Sequence, residues 1–322
     1  MRPTFKLLAV LWIVLYTFSS GKAYTQQDIC QFKKVIKNGW SEDNQTLNKK
    51  IISLGKSEIP RIRHTLNQPL ISNKNNDHTL FIPKFGLTRD DYIILMSYTK
   101  YLETHHKVND SINIYIKAFQ GLSNIDDNTM LSAIYRLAIT KLLVKSLEQT
   151  LVHHIFHPKE TRHLYNKLRK LLIFDTTAII AGINSEKETA KKLINQLQEN
   201  ENNEKYLQIY KKEFGKINDN YWDTLINAIK NNTLKGTNKN EDSKLNKLKF
   251  WNKIKLYGLN TKMYLYRKLS IAPTKEDYMA HAKYSAIDTF LVTRPKLYET
   301  CQDYLNIIEN NKKLLQKLKE IK

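Results

Sequence analysis

Glycine and proline are scarce in this chain, with nine and seven residues among 322. Tight hairpin turns depend on such residues, because few others accept the required backbone angles. A sandwich or barrel would need turn-forming residues at intervals of about 8–12 residues. The scarcity therefore argues against an all-β fold and favours a helical protein.

Cysteine is rarer still, since only Cys30 and Cys301 occur. Two thiols exclude a cysteine-rich zinc module and a small domain held by several disulfides. In an oxidising compartment two cysteines usually pair, so we predict a disulfide between the first mature helix and the last helical stretch. Closing so long a loop would stabilise the fold by up to about 5 kcal/mol on the chain-entropy account. The alternatives are buried free thiols and an intermolecular bridge.

Motifs of the common enzyme families are also missing. The sequence contains no glycine-rich phosphate loop, no Gly-x-Ser-x-Gly elbow and no His-Glu-x-x-His helix. A helical enzyme that cleaves peptidoglycan would need a glutamate in a recognisable setting, and none stands out. These observations favour a non-enzymatic protein that works without a cofactor.

Long hydrophobic runs are absent as well. The run at residues 7–18 is shorter than the roughly 20 residues that a spanning helix needs. It follows Arg2 and Lys6 and precedes small and polar residues, which is the layout of a secretory signal. We predict removal of residues 1–23 by cleavage before Tyr24, which delivers the protein to the periplasm or the exterior. The alternative is an uncleaved anchor in the inner membrane.

Acidic residues are few relative to basic ones, 31 against 52, which gives a formal net charge of +21. Loss of the leader with its three basic residues would leave +18 on residues 24–322. A field of this sign attracts anions, and salt weakens the attraction. The expected partner is an anionic membrane surface or another envelope polyanion, and we do not expect nucleic acid. An AT-rich coding sequence, which favours lysine, is the alternative source of the charge.

Apolar residues recur at helical spacing, and 41% of the chain is hydrophobic, enough for a core. We predict an all-α fold: a multi-helix bundle of roughly nine to twelve helices in a single domain over residues 24–322, preceded by the N-terminal signal or anchor helix. The clearest helix covers residues 128–157. The polar residues 231–243 predict a mobile linker within the domain.

Several local signals predict where other helices begin, bend or lie. Thr88 with Asp91 three positions later is typical of a helix start. Gly55 and Pro60 predict a break or kink in an earlier helix. Residues 161–183 are apolar on most sides in the second half, which predicts a helix at the centre of the bundle.

Two groups of residues suggest enzyme chemistry. His153 and His157 would share a helical face and could hold a transition metal with His163 from the following helix. A helix end that favours imidazoles near its last carbonyls is the structural alternative. Asp175 lies in the most apolar stretch, so we expect it to be buried, either as a general acid or base or as a packing residue held by hydrogen bonds.

The most suggestive segment, residues 244–257, alternates lysine with apolar and aromatic residues. The apolar residues at a spacing of three are Leu245, Leu248, Trp251 and Ile254. The candidate residues for contact with an anionic surface are Lys244, Lys247, Lys249, Phe250, Trp251, Lys253 and Lys255. Such a helix suits a bilayer interface, where each lysine contributes about 1 kcal/mol near anionic lipid. It would also suit a nucleic-acid backbone with stacking aromatics, or a helix docked by its apolar residues onto the bundle.

Two function hypotheses follow. The first is an exported, non-enzymatic helical protein of a bacterial envelope that binds or scaffolds at an anionic surface. The second is a secreted hydrolase or metal-dependent enzyme centred on the histidines or on Asp175. A host-directed toxin or effector is a third hypothesis, which composition does not separate from the first.

Overall fold

The computed structural model describes residues 24–68, 86–123, 125, 129–153, 155–172, 175–195, 204–293 and 297–321. These residues form eleven α-helices and no strand, which confirms the all-α prediction. The helices are α1 (Gln26–Asn38), α2 (Gln45–Leu66), α3 (Arg89–Thr104), α4 (Val108–Ser123), α5 (Met130–Val152), α6 (Pro158–Leu168), α7 (Thr177–Asn195), α8 (Glu204–Lys230), α9 (Leu234–Lys268), α10 (Lys275–Thr293) and α11 (Tyr298–Glu320). The leader at residues 1–23 lies outside the described residues, so its cleavage or anchoring stays a prediction.

The chain divides into two compact units. The first comprises the described residues of Met1–Asp175 together with those of Asn306–Lys322, and so contains α1 to α6 and the end of α11. The second is Thr176–Leu305, which contains α7 to α10 and the start of α11. The single domain over residues 24–322 stays a prediction.

Helix α3 lies at the centre of the first unit, where it packs against α1, α2, α4 and α5. Five consecutive residues, Tyr92 to Met96, are almost fully buried, which requires neighbours on every side of the helix. The prediction that residues 161–183 form a central helix is wrong. Helix α6 ends at Leu168 and α7 begins at Thr177, so the apolar stretch is divided between two elements.

The start of α3 confirms the capping signal read from the sequence. The carboxylate of Asp91 accepts the backbone N–H of Thr88 at 2.7 Å and its hydroxyl at 2.8 Å. Arg61 of α2 donates to the same carboxylate at 2.6 Å. Thus one aspartate both starts the central helix and attaches it to its neighbour.

Helix α2 runs unbroken through Gly55 and Pro60, so a break there is wrong, and the alternative of a kink stays a prediction. Burial of Ile59 and Ile62 beside the proline supplies packing that opposes the local loss of a backbone hydrogen bond. At Gly55 an added Cβ would lie 2.9 Å from a ring carbon of Tyr98. The glycine therefore allows α2 and the tyrosine of α3 to approach closely.

In the second unit, α8 packs against α7, α9 and α10, and α9 packs against α10. Lys187 of α7 reaches Asp219 and Asp223 of α8 at 3.3 and 2.8 Å. Helix α9 begins at Leu234 and continues for 35 residues, so most of the predicted linker at residues 231–243 is helical. This corrects the linker prediction.

The predicted disulfide is wrong, because Cys30 and Cys301 are both free. The buried face of α1 is formed by residues such as Ile29 and Phe32, which leaves Cys30 on the exposed side. Cys301 is 1% exposed on α11, and burial raises its pKa to about 12. An inert buried thiol and an exposed one replace the expected cross-link.

Candidate anionic-surface site

Helix α9 has an inward face that attaches it to α10. The residues of this face are at least partly buried and follow helical spacing: Asn252, Leu256, Leu259, Met263 and Tyr266. The side-chain amide of Asn252 donates to the carbonyl of Tyr284 at 3.1 Å. Steps of four and three keep all five side chains on one side of the helix, which fixes the direction in which the opposite side points.

Asp277, in the first turn of α10, is the polar anchor of this contact. The hydroxyl of Tyr266 donates to it at 2.7 Å, and Nζ of Lys262 lies 3.0 Å from its other oxygen. Both contacts hold the pKa of the Asp277 carboxyl below its usual value, with the Tyr266 hydrogen bond as the larger cause. The same carboxylate raises the pKa of Tyr266 and of Lys262.

A second polar contact joins α9 to its neighbours through His281 of α10. Its Nε2 lies 2.8 Å from Oδ1 of Asn260, and its Nδ1 lies 2.9 Å from the hydroxyl of Tyr206 of α8. Burial lowers the pKa of His281, and the positive charge of Arg267 lowers it further. The imidazole is therefore kept neutral as a junction of three helices.

The outward face of α9 is apolar and exposed. Trp251 is 60% exposed and Tyr257 is 77% exposed. The residues that form this face are Phe250, Trp251, Ile254, Tyr257, Tyr264, Leu265 and Leu269, and all are exposed. At 100° per residue, Phe250, Ile254, Tyr257 and Leu265 lie opposite the inward face. We call these seven residues the outward apolar face.

Exposed apolar side chains are concentrated here. Of twelve exposed large hydrophobic side chains among the described residues, ten lie between Leu248 and Met279. The turn after α9 extends the patch with Ile271, which is 54% exposed. Single exposed apolar residues are ordinary on soluble proteins, whereas a contiguous patch marks an interaction surface.

The charges around the outward apolar face have one sign. Residues 247–271 contain seven basic and no acidic residues. The basic residues, all exposed, are Lys247, Lys249, Lys253, Lys255, Lys262, Arg267 and Lys268. Within the described part of the chain, Lys262 alone among them forms an ion pair with a carboxylate. By helical spacing, Lys255 and Lys262 lie on one flank of the face, and Lys249 and Lys253 lie on the other.

The structure rules out one of the interpretations of residues 244–257. The alternative in which the residues at spacing three dock onto the bundle is wrong, because Leu248, Trp251 and Ile254 are exposed. Steps of three rotate by about 60° each, so those residues cross the helix surface instead of sharing the buried side. The side chains of Lys244 and Leu245 lie outside the described residues.

Sequence reasoning missed the inward face and the C-terminal half of the outward one. The signal was present, since residues 252, 256, 259, 263 and 266 alternate steps of four and three. It was hidden because Asn252 stands where an apolar residue is expected, while the more apolar Phe250 and Trp251 face outward.

The predicted histidine metal site does not assemble. Helix α5 ends at Val152, and α6 begins at Pro158, so His153 and His157 do not share a helical face. His153, His157 and His163 are each exposed. His157 caps α6, where its backbone N–H donates to Glu160 at 2.7 Å. No group of three histidine, cysteine or acidic side chains in the described residues could hold a metal ion.

Asp175 is exposed, which corrects the expectation that it is buried. It lies between α6 and α7, at the point where the predicted central helix is interrupted. The general acid or base expected from its burial therefore lacks the desolvated setting on which the expectation rested.

A buried polar cluster that the sequence did not indicate lies in the first unit. Nζ of Lys100 contacts Glu103 at 3.1 Å, the carbonyl of Ser146 at 2.7 Å and the hydroxyl of Thr150. Ser111 donates to Glu103 at 2.9 Å. Burial lowers the pKa of Lys100, against the opposing effect of the Glu103 charge.

This cluster joins three helices and has no exposed member. Tyr115 of α4 completes it with a hydroxyl 2.9 Å from Oγ of Ser146, and burial raises the pKa of that tyrosine well above its usual value. Lys100 and Glu103 of α3 are 3% and 4% exposed. Enclosed and fully bonded, the cluster specifies how α3, α4 and α5 pack, because any other arrangement would leave a buried charge unpaired.

No family model, curated protein or solved structure matches the chain. None of the helices in the described ranges has both the length and the apolar content of a membrane-spanning segment. On the surface of α9 an apolar face and a group of basic residues coincide.

Proposed function

We propose that the protein is a non-enzymatic peripheral protein that binds anionic phospholipid bilayers through the outward apolar face of α9. One observation carries the proposal: the largest group of exposed apolar side chains among the described residues is centred on residues 247–271, in which every charged residue is basic. A lipid bilayer offers both matching features, negative charge and hydrocarbon, because an anionic headgroup layer lies directly above a hydrocarbon layer.

The geometry suits a helix that lies parallel to the bilayer. From Phe250 to Leu269 the face extends for about 30 Å at 1.5 Å per residue, along one side of a single helix. The side chains of this face would therefore contact the bilayer interface at the same time. Lysines on both flanks have aliphatic stems that can lie along the acyl boundary while the ammonium groups remain among the phosphates.

Both parts of the site contribute to binding. Burial of apolar surface stabilises association by about 25 cal/mol per Å², and each lysine near an anionic surface adds about 1 kcal/mol. The apolar part is independent of salt, whereas the lysine part weakens as salt rises. We therefore expect affinity for anionic vesicles to fall with salt while affinity for neutral vesicles stays low.

A bilayer fits the composition of the face better than a nucleic acid or an anionic glycan does. Aromatic side chains can stack on bases, but Ile254, Leu265 and Leu269 are aliphatic and have no such use. An anionic glycan chain would pair with the charges of the lysines but would leave these apolar side chains in water. Hydrocarbon takes up both kinds of apolar side chain.

The predicted leader supports an envelope location for this activity. Export would place the protein in the periplasm or outside the cell, next to anionic lipid surfaces, where it would act as a binding or scaffolding protein. The uncleaved form would hold the chain at the inner membrane, with α9 facing the same class of lipid.

The test compares charge variants of the protein without its leader. Wild type should sediment with vesicles of phosphatidylglycerol and phosphatidylcholine at low salt, and substitution of Lys247, Lys249, Lys253 and Lys255 by glutamine should weaken that binding at least about tenfold. The matched control replaces four exposed lysines of the first unit, Lys33, Lys34, Lys37 and Lys49. Equal binding by both variants would remove α9 from the proposed function.

A further inference from the structure

A second basic surface lies on the exposed side of α6, in the first unit. Its exposed basic residues are Lys159, Arg162, Lys167, Arg169 and Lys170, of which the last two directly follow the helix. The opposite side of α6 is fully buried through Thr161, Leu164 and Leu168. The helix is therefore attached to the core by one side and presents cations on the other.

These cations are not neutralised by neighbouring carboxylates. Glu160 is the only acidic residue between positions 153 and 172, and it accepts the backbone N–H of His157 at 2.7 Å. Across the described residues, no ion pair joins any of the five basic side chains to an acidic group. A row of uncompensated cations on one helix repels itself, which an anionic partner would relieve.

The α6 surface differs from α9 because it has no apolar component. None of the exposed large hydrophobic side chains of the described residues lies on Pro158–Leu168, and Tyr165 is half-buried. It therefore has no aliphatic group to insert into hydrocarbon and no exposed phenylalanine, tyrosine or tryptophan ring on which a base could stack.

We infer that the exposed side of α6 binds the headgroup phosphates of anionic phospholipids through its basic side chains, without insertion into the hydrocarbon. The inference rests on the proposed function in one respect, that the same lipid class supplies the partner. A linear polyanion is usually held in a basic groove with aromatic rings, whereas α6 presents the outer side of a single helix. A plane of phosphates needs no groove, and clusters of four to eight basic residues on one helix are typical of such binding.

The arginines add geometric preference to the charge. Arg162 and Arg169 are seven positions apart, close to two helical turns, so their Cα atoms lie about 10 Å apart along one side. Each can bind two oxygens of one phosphate, which a lysine cannot do. Replacing both by lysine keeps the charge and removes this bidentate geometry.

The test uses two variants of the protein without its leader, both with substitutions at exposed positions. The α6 variant carries Arg162→Gln, Lys167→Gln, Arg169→Gln and Lys170→Gln. The α9 variant carries Phe250→Ser, Trp251→Ser, Ile254→Ser and Tyr257→Ser. The variant described above that replaces Lys33, Lys34, Lys37 and Lys49 serves as the charge-matched control. Circular dichroism verifies that each variant is folded.

Binding to phosphatidylglycerol-containing vesicles is measured over a range of salt concentrations. The α6 variant should bind about tenfold more weakly at low salt, with a smaller dependence on salt than the control. The α9 variant should retain weak, strongly salt-dependent binding, and combining the two sets should abolish it. In wild type and in the α6 variant, the blue shift of tryptophan emission at saturating lipid should be equal.

The outcomes separate this inference from the proposed function. If the α6 variant binds as the control does, the inference about α6 is wrong, while loss of binding in the α9 variant would still support the proposed function. If the α9 variant binds as wild type does and the α6 variant does not, the proposed function of α9 is wrong, while the inference about α6 is supported. Displacement of vesicles by a short DNA duplex at equal phosphate concentration would show that α6 prefers a linear polyanion, and would also overturn the inference.

Discussion

The hydroxyl of Tyr266 lies 2.7 Å from Oδ2 of Asp277, where it donates a hydrogen bond from α9 to the first turn of α10. Together with the ion pair from Lys262 at 3.0 Å and the inward face of α9, this contact fixes how α9 is rotated on its neighbour. Rotation is what matters for function, because a turn of half a revolution would bury the outward apolar face and expose the inward one.

Replacing Asp277 by asparagine should lower the melting temperature in a pH-dependent manner. The contacts lower the pKa of Asp277, so its charged form stabilises the fold above the unfolded pKa of about 3.9, and this stability is lost as pH falls through the folded pKa. Thermal melts of wild type and Asp277→Asn should differ at pH 7 and converge once the pH falls below the folded pKa of Asp277. Coincident melts at pH 7 would show that the carboxylate does not hold α9.

Removing the charge of Lys100 should destabilise the first unit strongly. Lys100→Met leaves Glu103 buried without its cation, which costs about 3–5 kcal/mol in comparable buried pairs. The further substitution Glu103→Gln removes the unpaired charge and keeps an oxygen for Ser111, so the double variant should recover part of the loss. Urea unfolding followed by circular dichroism measures both. A single variant that loses less than about 1 kcal/mol would contradict the account.

The two thiols should differ in reactivity. Cys30 is exposed, whereas Cys301 is buried and has a pKa raised to about 12, so little of it is thiolate at neutral pH. Brief treatment of the native protein with a maleimide should modify one site, which peptide mass spectrometry should identify as Cys30. Both sites should react in urea. If neither cysteine reacts in urea unless a reductant is added, the disulfide predicted from the sequence is present after all.

Gly55→Ala tests the close approach of α2 to Tyr98. In an exposed helix interior this change usually stabilises by about 1 kcal/mol, but here the new methyl would lie 2.9 Å from the tyrosine ring. We therefore expect destabilisation. Gly258→Ala in α9 is the matched control, since nothing lies within 4 Å of its added Cβ, and it should stabilise. Equal shifts in melting temperature for the two variants would contradict the packing described.

Local chemistry made part of this fold predictable. The start of α3 follows from Thr88 and Asp91, because a capping box is formed by residues three positions apart. Helix α5 follows from its apolar spacing, and residues 130–152 of the predicted 128–157 are helical. The basic and aromatic character of α9 was also evident from sequence.

Properties that depend on distant residues were not predictable. Gly55 appears as a helix breaker until Tyr98 is placed beside it. Lys100 and Thr150 are 50 positions apart, and both residue types are common on surfaces, so nothing indicated a buried cluster. The rotation of α9 depends in part on Asp277, in the first turn of another helix. In each case tertiary contact overrides the local preference.

The central claim is that the outward apolar face of α9 enters the bilayer. The most direct test places a nitroxide at Ile254→Cys, in a chain with Cys30→Ser, and compares it with Thr189→Cys, an exposed site of the same unit. On phosphatidylglycerol-containing vesicles, the label at position 254 should gain collisions with oxygen and lose collisions with a polar nickel complex, while the label at 189 remains unchanged. If both labels stay equally accessible to the nickel complex on vesicles that have bound the protein, α9 does not insert, and the account is contradicted.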